Sequence, residues 1–419
     1  MFTHYQLQNN ARIILVPQHD TKSLTTLIMY PVGSRYEPEK LSGVSHYVEH
    51  LMFKGTKKRK NTLILTREID RLGAEYNAFT SKEHTGYYIK ADGSYADIAL
   101  DILSDMLFNS TFDPKEMERE KGPIIEELRM YRDNPLMNID TIFENLMYDG
   151  CPLGRDIGGT DDHVRSYQRP DVLAYRDKYY DASNMTVVIA GAVTEEVRRL
   201  VEKYIGSQGK SVKPGQAYKP AAFGSRAKAD RIVVQKKKTD QVQLMLGFPG
   251  FNHTAPQDST LAVLNTILGG SMSSRLFIQI RERRGLAYMI RSGAEHFRDT
   301  GYVFVRAGLE AKNINKAMSV VVNELDKMKT KPVTPRELAD AKTHIRGALT
   351  LTMEDSSAQA NWYAKEALFM EEIQTPEERL KSVDTVTASD VQHLAREIFK
   401  MGEMRVAVIG DVERLAIRV

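Results

Sequence analysis

Cysteine is nearly absent from this chain. Cys151 is the only one in 419 residues, which excludes an intramolecular disulfide and a thiolate zinc cluster and suits a reducing compartment. It sits in "DGCPLG" and reads as a small residue of a turn rather than as a nucleophile. Excess charge is missing too: a formal +3 spread over both halves gives no footing for nucleic acid or an anionic membrane. No run approaches the ~18 apolar residues of a membrane span. The start, "MFTHYQLQNNARIILVPQ", reads as strand, Asn-Asn turn and strand, with neither an apolar h-region nor an Arg/Ser-rich leader. The expectation is a cytoplasmic protein. Phosphate-binding loops are likewise lacking, because "LGGSMSSRL" at Leu268 to Leu276 has glycines and serines but no lysine and no preceding strand.

What is present is length and repetition. A chain of 419 residues outgrows a single core, so two domains are expected. "ARIILV" from Ala11 returns as "DRIVVQ" from Asp230, and "NMTVVIAG" ending at Gly191 returns as "EMRVAVIG" ending at Gly410; both offsets are 219. "FDPKE" at Pro114 and "VTPRE" at Pro335 lie 221 apart, each reading as an N-cap, a first-turn proline and a charged first turn. Three pairs in one order indicate an internal duplication. The stretch between them, "GSQGKSVKPGQAYKPAAFGSRAKAD", is rich in Gly, Pro, Ser and Lys without apolar period. The expected division is therefore 1–206, a linker at 207–229, and 230–419. "LTTLIMY", "AEYNAFT" and "TGYYIKA" read as strands, whereas "DIALDILSDMLFN" has a helical period. Adjoining strands followed by runs of helices predict an α+β fold of two α/β sandwiches.

The chemistry concentrates in "GVSHYVEHLMFKGT", Gly43 to Thr56. At 100° per residue, with His46 at 0°, His50 falls at about 40° and Glu49 at about −60°. Val44, Tyr47, Val48, Leu51 and Met52 fall on the opposite side. Imidazoles at i and i+4 can share one zinc ion, and a carboxylate on the same face can stand beside the metal as a general base. Two ordinary histidines on a helix would show the same five residues, so a third donor is required. "DPKEMEREKGPIIEELRMYRDNP" offers Glu120, Glu126 and Glu127, with Asp113 as N-cap and Pro114 at the first helical position. A solvated acidic helix face has this composition too, and period alone does not choose between Glu126 and Glu127. Gly122-Pro123 is expected to kink the helix between Glu120 and Glu127.

"HYVEH", with Glu127 77 positions after His50 in "EREKGPIIEELRMYRDNP", resembles the inverted zinc motif of the inverzincins, the pitrilysin/insulinase metallopeptidases. "LGAEYNAFTSKEHTGYYIKA" is similar to the segment after that family's zinc helix, and "GGSMSSRLFIQIRERRGLAYMIRS" to its Arg-x6-Tyr element. The resemblance implies a mitochondrial-processing-peptidase-like metallohydrolase fold, two homologous domains forming half of a clamshell. It implies one zinc ion per chain, held by His46, His50 and Glu127, with Glu49 as general base and Glu120 as an auxiliary carboxylate. Arg281 and Tyr288 would lie against the scissile peptide, and Asn77 and Ala78 on an edge strand would pair with substrate. The positions matching His46, Glu49 and His50 in the second half are Asn265, Leu268 and Gly269, so that half is expected to keep the fold without the metal.

The implied function is a zinc endopeptidase acting on extended or unfolded peptides, most simply as a homodimer enclosing a chamber. A heteromeric peptidase subunit and a non-catalytic peptide-binding member are the alternatives.

Overall fold

The first half of the chain alternates strands and helices as β1 (Thr3–Gln6), β2 (Arg12–Pro17), β3 (Ser23–Tyr30), α1 (Val44–Met52) and α2 (Thr62–Asp70). A hairpin follows, β4 (Glu75–Thr80) and β5 (Thr85–Asp92), and then α3 (Ala96–Asn109), α4 (Pro114–Asp133) and α5 (Pro135–Met147). It closes with α6 (Asp161–Ser166), α7 (Arg169–Tyr179), β6 (Thr186–Gly191) and α8 (Glu195–Val201). The second half repeats the plan: β7 (Ile232–Lys236), β8 (Val242–Pro249), α9 (Asp258–Leu268), β9 (Ala287–His296), β10 (Gly301–Leu309) and α10 (Ile314–Thr330). Then come α11 (Pro335–Thr352), α12 (Ser356–Phe369), α13 (Pro376–Thr385), α14 (Ala388–Ile398) and β11 (Arg405–Gly410). This computed structural model describes residues 2–208, 221, 231–414 and 417, so most of the expected linker at 207–229 lies outside the described residues. No described helix is long and apolar enough to cross a membrane.

Duplication is written into the topology. The first sheet runs β1-β2-β6-β3-β5-β4 and the second β7-β11-β8-β10-β9. In each, the first strand of the repeat pairs parallel with the last, β2 with β6 and β7 with β11, and the other neighbours are antiparallel. Those parallel partners are the segments that recur at an offset of 219. Strand β1 extends the first sheet through a turn in which Asn10 takes φ of 68°, a conformation asparagine tolerates better than most residues.

Alternation along the strands separates two cores in each unit. Ile13, Leu15, Ile28, Val187 and Ile189 face the helices α1, α3 and α7, whereas Ile14, Val16, Leu27, Met29, Val188 and Ala190 face α12. In the second sheet, Leu244, Leu246, Val305 and Val408 face α9, α10 and α14. Met245, Phe304, Ala407 and Ile409 instead face Ile139, Phe143 and Met147 of α5. Strands so apolar on both faces need cover on both.

The compact units therefore cut across the sequence halves expected at 1–206 and 230–419. One comprises Met1–Arg129, Arg155–Lys219 and Leu351–Ile373; the other comprises Met130–Gly154, Pro220–Thr350 and Gln374–Val419. Helix α5 of the first half packs with the second sheet, and α12 of the second half with the first. Pro123 lies inside α4 without ending it: the helix runs from Pro114 through Asp133. Arg119, Gly122 and Pro123 are all exposed, so the proline and the carbonyl it leaves without a helical donor belong to residues on the solvent side.

Candidate metal centre

Helix α1 is built as its pattern predicts. Val44, Tyr47, Val48, Leu51 and Met52 are buried, and the opposite face carries His46, Glu49 and His50. Its N-terminus has no side-chain cap of its own, because Gly43 occupies that position at φ of 93°. The missing cap comes from Glu37, whose buried carboxylate accepts from Gly43 N at 2.6 Å and Ser45 N at 2.7 Å. Burial raises the Glu37 carboxyl to about 7 against these two stabilising bonds. From far along the chain, just before α6, Gly159 (φ 75°) packs against the Ser42 carbonyl, where a Cβ would lie 2.2 Å from the oxygen. The start of α1 is thus pinned by a loop carboxylate and a close backbone approach.

Helix α4 brings the third donor. Asp113 caps it, accepting from Lys115 N at 2.9 Å and Glu116 N at 3.2 Å. Of the two adjacent glutamates, Glu127 reaches the histidines, and Glu126 points away into an exposed pair with Arg129 at 2.6 Å. His46 Nε2 and His50 Nε2 lie 3.2 Å apart; Glu127 Oε2 is 3.7 Å from the first and 3.4 Å from the second. A tetrahedral ion with bonds of about 2.0–2.1 Å requires ligand atoms about 3.3 Å apart. This triangle fits that demand closely, and it is the one group of three or more such donors among the described residues.

Glu120 stands behind the triangle, nearly buried. Its Oε1 is 2.9 Å from His50 Nδ1 and its Oε2 2.6 Å from Lys54 Nζ. With Nδ1–H donating to the carboxylate, His50 turns Nε2 toward the other donors, the arrangement by which outer carboxylates orient ligating histidines. Glu120 is correspondingly held low: burial opposes its charge, but the bonds from His50 and Lys54 outweigh burial. His46 is held down by burial and by its neighbour His50. Burial disfavours charge on His50 too, yet Glu120 and Glu127 raise it.

Glu49 shares the face but not the triangle. Its carboxyl is raised by burial, and Thr80 Oγ1 on β4 donates to Glu49 Oε2. β4 is the edge strand of its sheet, so Asn77 and Ala78 sit where an added strand could pair. Asn77 is exposed, Ala78 is buried, and Asn77 Oδ1 accepts from the Ala78 N–H at 2.9 Å.

Arg281 and Tyr288 are brought together in the other unit. The Arg281 guanidinium lies 4.7 Å from the Phe277 ring and 5.3 Å from that of Tyr288, whose side chain is 74% exposed. Arg281 sits in a widened turn in which Arg283 N donates to Ile278 O five residues back at 2.9 Å. Helix α9, which corresponds to α1, ends at Leu268 and is followed by Gly269, with no imidazole or carboxylate at the matching positions.

Sequence reasoning missed Glu37, Lys54 and Thr80. For Glu37 there was one signal: α1 begins after a glycine and without a side-chain cap, so an acceptor had to come from elsewhere. A threonine in a strand and a lysine after a helix give none.

Residues 12–161 match the family described as Insulinase (Peptidase family M16), and residues 166–345 match the Peptidase M16 inactive domain. The uncharacterized zinc protease YmxG of Bacillus subtilis is 33% identical, the match covering 95% of this chain and 96% of that protein. An uncharacterized zinc protease of Streptomyces coelicolor is 35% identical over 94% of this chain and 86% of its own length. Among solved structures, a protease from Helicobacter pylori superposes with a TM-score of 0.92 at 23% identity, covering 98% of this chain and 99% of that one. A Pseudomonas fluorescens protein described as a peptidase M16 inactive domain gives 0.88 at 17% identity, covering 98% of each chain. The last two likenesses concern the fold. The chain belongs to the insulinase family, peptidase family M16.

Proposed function

We propose that this protein is a zinc-dependent endopeptidase that hydrolyses extended or unfolded peptides. The observation that carries the reading is the triangle of His46 Nε2, His50 Nε2 and Glu127 Oε2, with edges of 3.2–3.7 Å, beside a carboxylate that takes no part in it. The naming of the relatives as zinc proteases supports it. The three residues would hold the ion, and zinc bound there would polarise the scissile carbonyl and acidify water toward a pKa of about 7.

The chain's own groups do the rest. Glu120 keeps the His50 ring oriented. Glu49 takes a proton from the attacking water as the water oxygen bonds to the carbonyl carbon and the π pair moves to the carbonyl oxygen. The same proton then passes to the amine nitrogen as the C–N bond breaks. Edge strand β4 would hold the peptide by main-chain pairing, which tolerates many sequences. Tyr288, beside Arg281, would donate its hydroxyl to the developing oxyanion.

We further infer a homodimer in which the exposed Arg281–Tyr288 pair serves the site of the second copy. Mixing Glu49→Gln and Tyr288→Phe proteins tests this. Recovery of activity on mixing supports completion in trans, and a mixture no more active than its parts refutes it.

The experiment for the activity itself is metal analysis with digestion of an unstructured peptide, wild type against Glu49→Gln. The expected result is one zinc per chain in both, with turnover lost in the variant by about 10²- to 10⁴-fold. Equal turnover at full zinc content would sink the mechanism.

A further inference from the structure

Among the described residues Glu49 has one hydrogen bond, and it comes from the edge strand. Thr80, the last residue of β4, donates through Oγ1 to Glu49 Oε2. Among the described residues Oε1 accepts nothing. A carboxylate acting as base needs this asymmetry: one oxygen held, the other free to take the proton. Burial otherwise disfavours charge on Glu49, and among the described residues the Thr80 hydroxyl is its one hydrogen-bond donor.

The backbone at Thr80 is itself fixed from several directions. Thr80 pairs with Thr85 across the β4–β5 hairpin, and Ser81 N donates to His84 O at 2.8 Å to close the turn. The segment before α1 clamps that turn: Ser34 N donates to Ser81 O at 3.2 Å and Arg35 N to Lys82 O at 2.9 Å. Gly33 allows the approach, since a Cβ there would lie 2.1 Å from the Ser81 oxygen. The buried pair of Arg35 and Glu83, 2.6 Å apart, locks the same turn, and Thr85 Oγ1 donates to Val32 O at 2.8 Å. The turn is itself buried at Lys82 and Glu83, and a turn held this firmly suits a residue at its base that must not move. Threonine also suits the task better than serine, because branching at Cβ stiffens χ1 in a strand.

We propose that Thr80 is a positioning residue for Glu49, by which the substrate-pairing edge strand aims the general base. The inference rests on reading Glu49 as the base of a peptidase. A peptide added to β4 would then be placed and the base oriented by one and the same strand, so that substrate and proton acceptor share a common frame.

Thr80→Val keeps the shape and removes the hydroxyl; Thr80→Ser keeps the hydroxyl. Thr80→Val should bind zinc stoichiometrically and keep its KM within about twofold, while kcat falls about 10- to 100-fold, the worth of a hydrogen bond to a charged group. Thr80→Ser should recover most of that loss. A kcat within twofold of wild type in Thr80→Val, a Thr80→Ser as slow as Thr80→Val, or a loss of zinc in Thr80→Val would each overturn the proposal.

A second measurement does not depend on turnover. In zinc-free protein, the melting temperatures of Thr80→Val, Glu49→Leu and the double variant should be non-additive, the second substitution costing less once the first is made. Additive shifts would refute the contact whatever the enzyme does. An inactive, zinc-loaded wild type with non-additive shifts would instead refute the peptidase reading and leave the contact established.

Discussion

Glu37 gives the sharpest test of how α1 is held. The carboxyl is 4% exposed and accepts two short backbone bonds at the start of α1. Burial nonetheless prevails and lifts it to about 7 from an ordinary 4.5. At about 1.4 kcal/mol per pH unit, the gap corresponds to roughly 3 kcal/mol. The sign follows from proton binding. Between pH 4.5 and about 7 the folded chain keeps a proton that the unfolded chain has lost, so stability falls as pH rises through that window and levels off above it. Glu37→Gln removes the titration but turns an amide N–H₂ toward one backbone donor, leaving it buried and unpaired at a cost of about 1–3 kcal/mol. The variant should therefore be less stable than wild type by about that amount at pH 5, and the difference should close or reverse by pH 8. Urea unfolding of zinc-free protein at the two pH values measures it. Trp362, the one tryptophan of the chain, lies on α12 against the first sheet and reports on the unit that contains Glu37. A difference that is constant with pH would refute the reasoning. One that widens as pH rises would show the two N–H groups prevailing over burial.

Other perturbations follow from the same geometry. Glu120→Gln should weaken zinc binding about 10- to 100-fold in a chelator competition, because it disturbs both the His50 and the Lys54 bonds. Gly159→Ala should destabilise the first unit by more than about 1–2 kcal/mol on urea unfolding, since φ of 75° disfavours a Cβ that would also meet the Ser42 oxygen at 2.2 Å. Ala364→Leu, at a fully buried position of α12, should overpack the layer formed with Ile14, Leu27 and Val188 and cost about 1–3 kcal/mol. Hydrogen exchange should then quicken in β2, β3 and β6 and stay unchanged in β7, β8 and β11.

Much of the site was legible because its information is local. Two imidazoles at i and i+4 and a glutamate between them define one helix face whatever surrounds it, and the observed burial of α1 follows the wheel residue by residue. Choosing the third donor was not a local matter. Glu126 and Glu127 differ by about 100° on one helix, and only the approach of α4 to α1 decides which meets the histidines. The resemblance to a known spacing supplied that choice; in the structure Glu127 lies within 3.7 Å of both imidazoles and Glu126 pairs with Arg129. Thr80 and Glu37 escaped for a related reason. Each acts across a sequence gap of 31 or 8 residues through a single side chain, and a lone polar residue in a strand or loop carries no period that would mark it.

The exchange of α5 and α12 was half visible. "RIILVP", "TVVIAG" and "RVAVIG" are continuous apolar runs, the mark of strands covered on both faces. One half of the chain folding alone would bring α1, α3 and α7 to one face of its sheet and need a further helix for the other. Amphipathic period shows that α5 must bury a face but is silent on which sheet receives it, because both sheets present the same kind of surface. The duplication makes them interchangeable in chemistry. What separates them is connection: Asn134 alone joins α4 to α5, so α5 must settle wherever the end of α4 delivers it. Since α4 also carries Glu120 and Glu127, the helix that completes the metal triangle is the one that runs from the first unit into the second at Arg129–Met130.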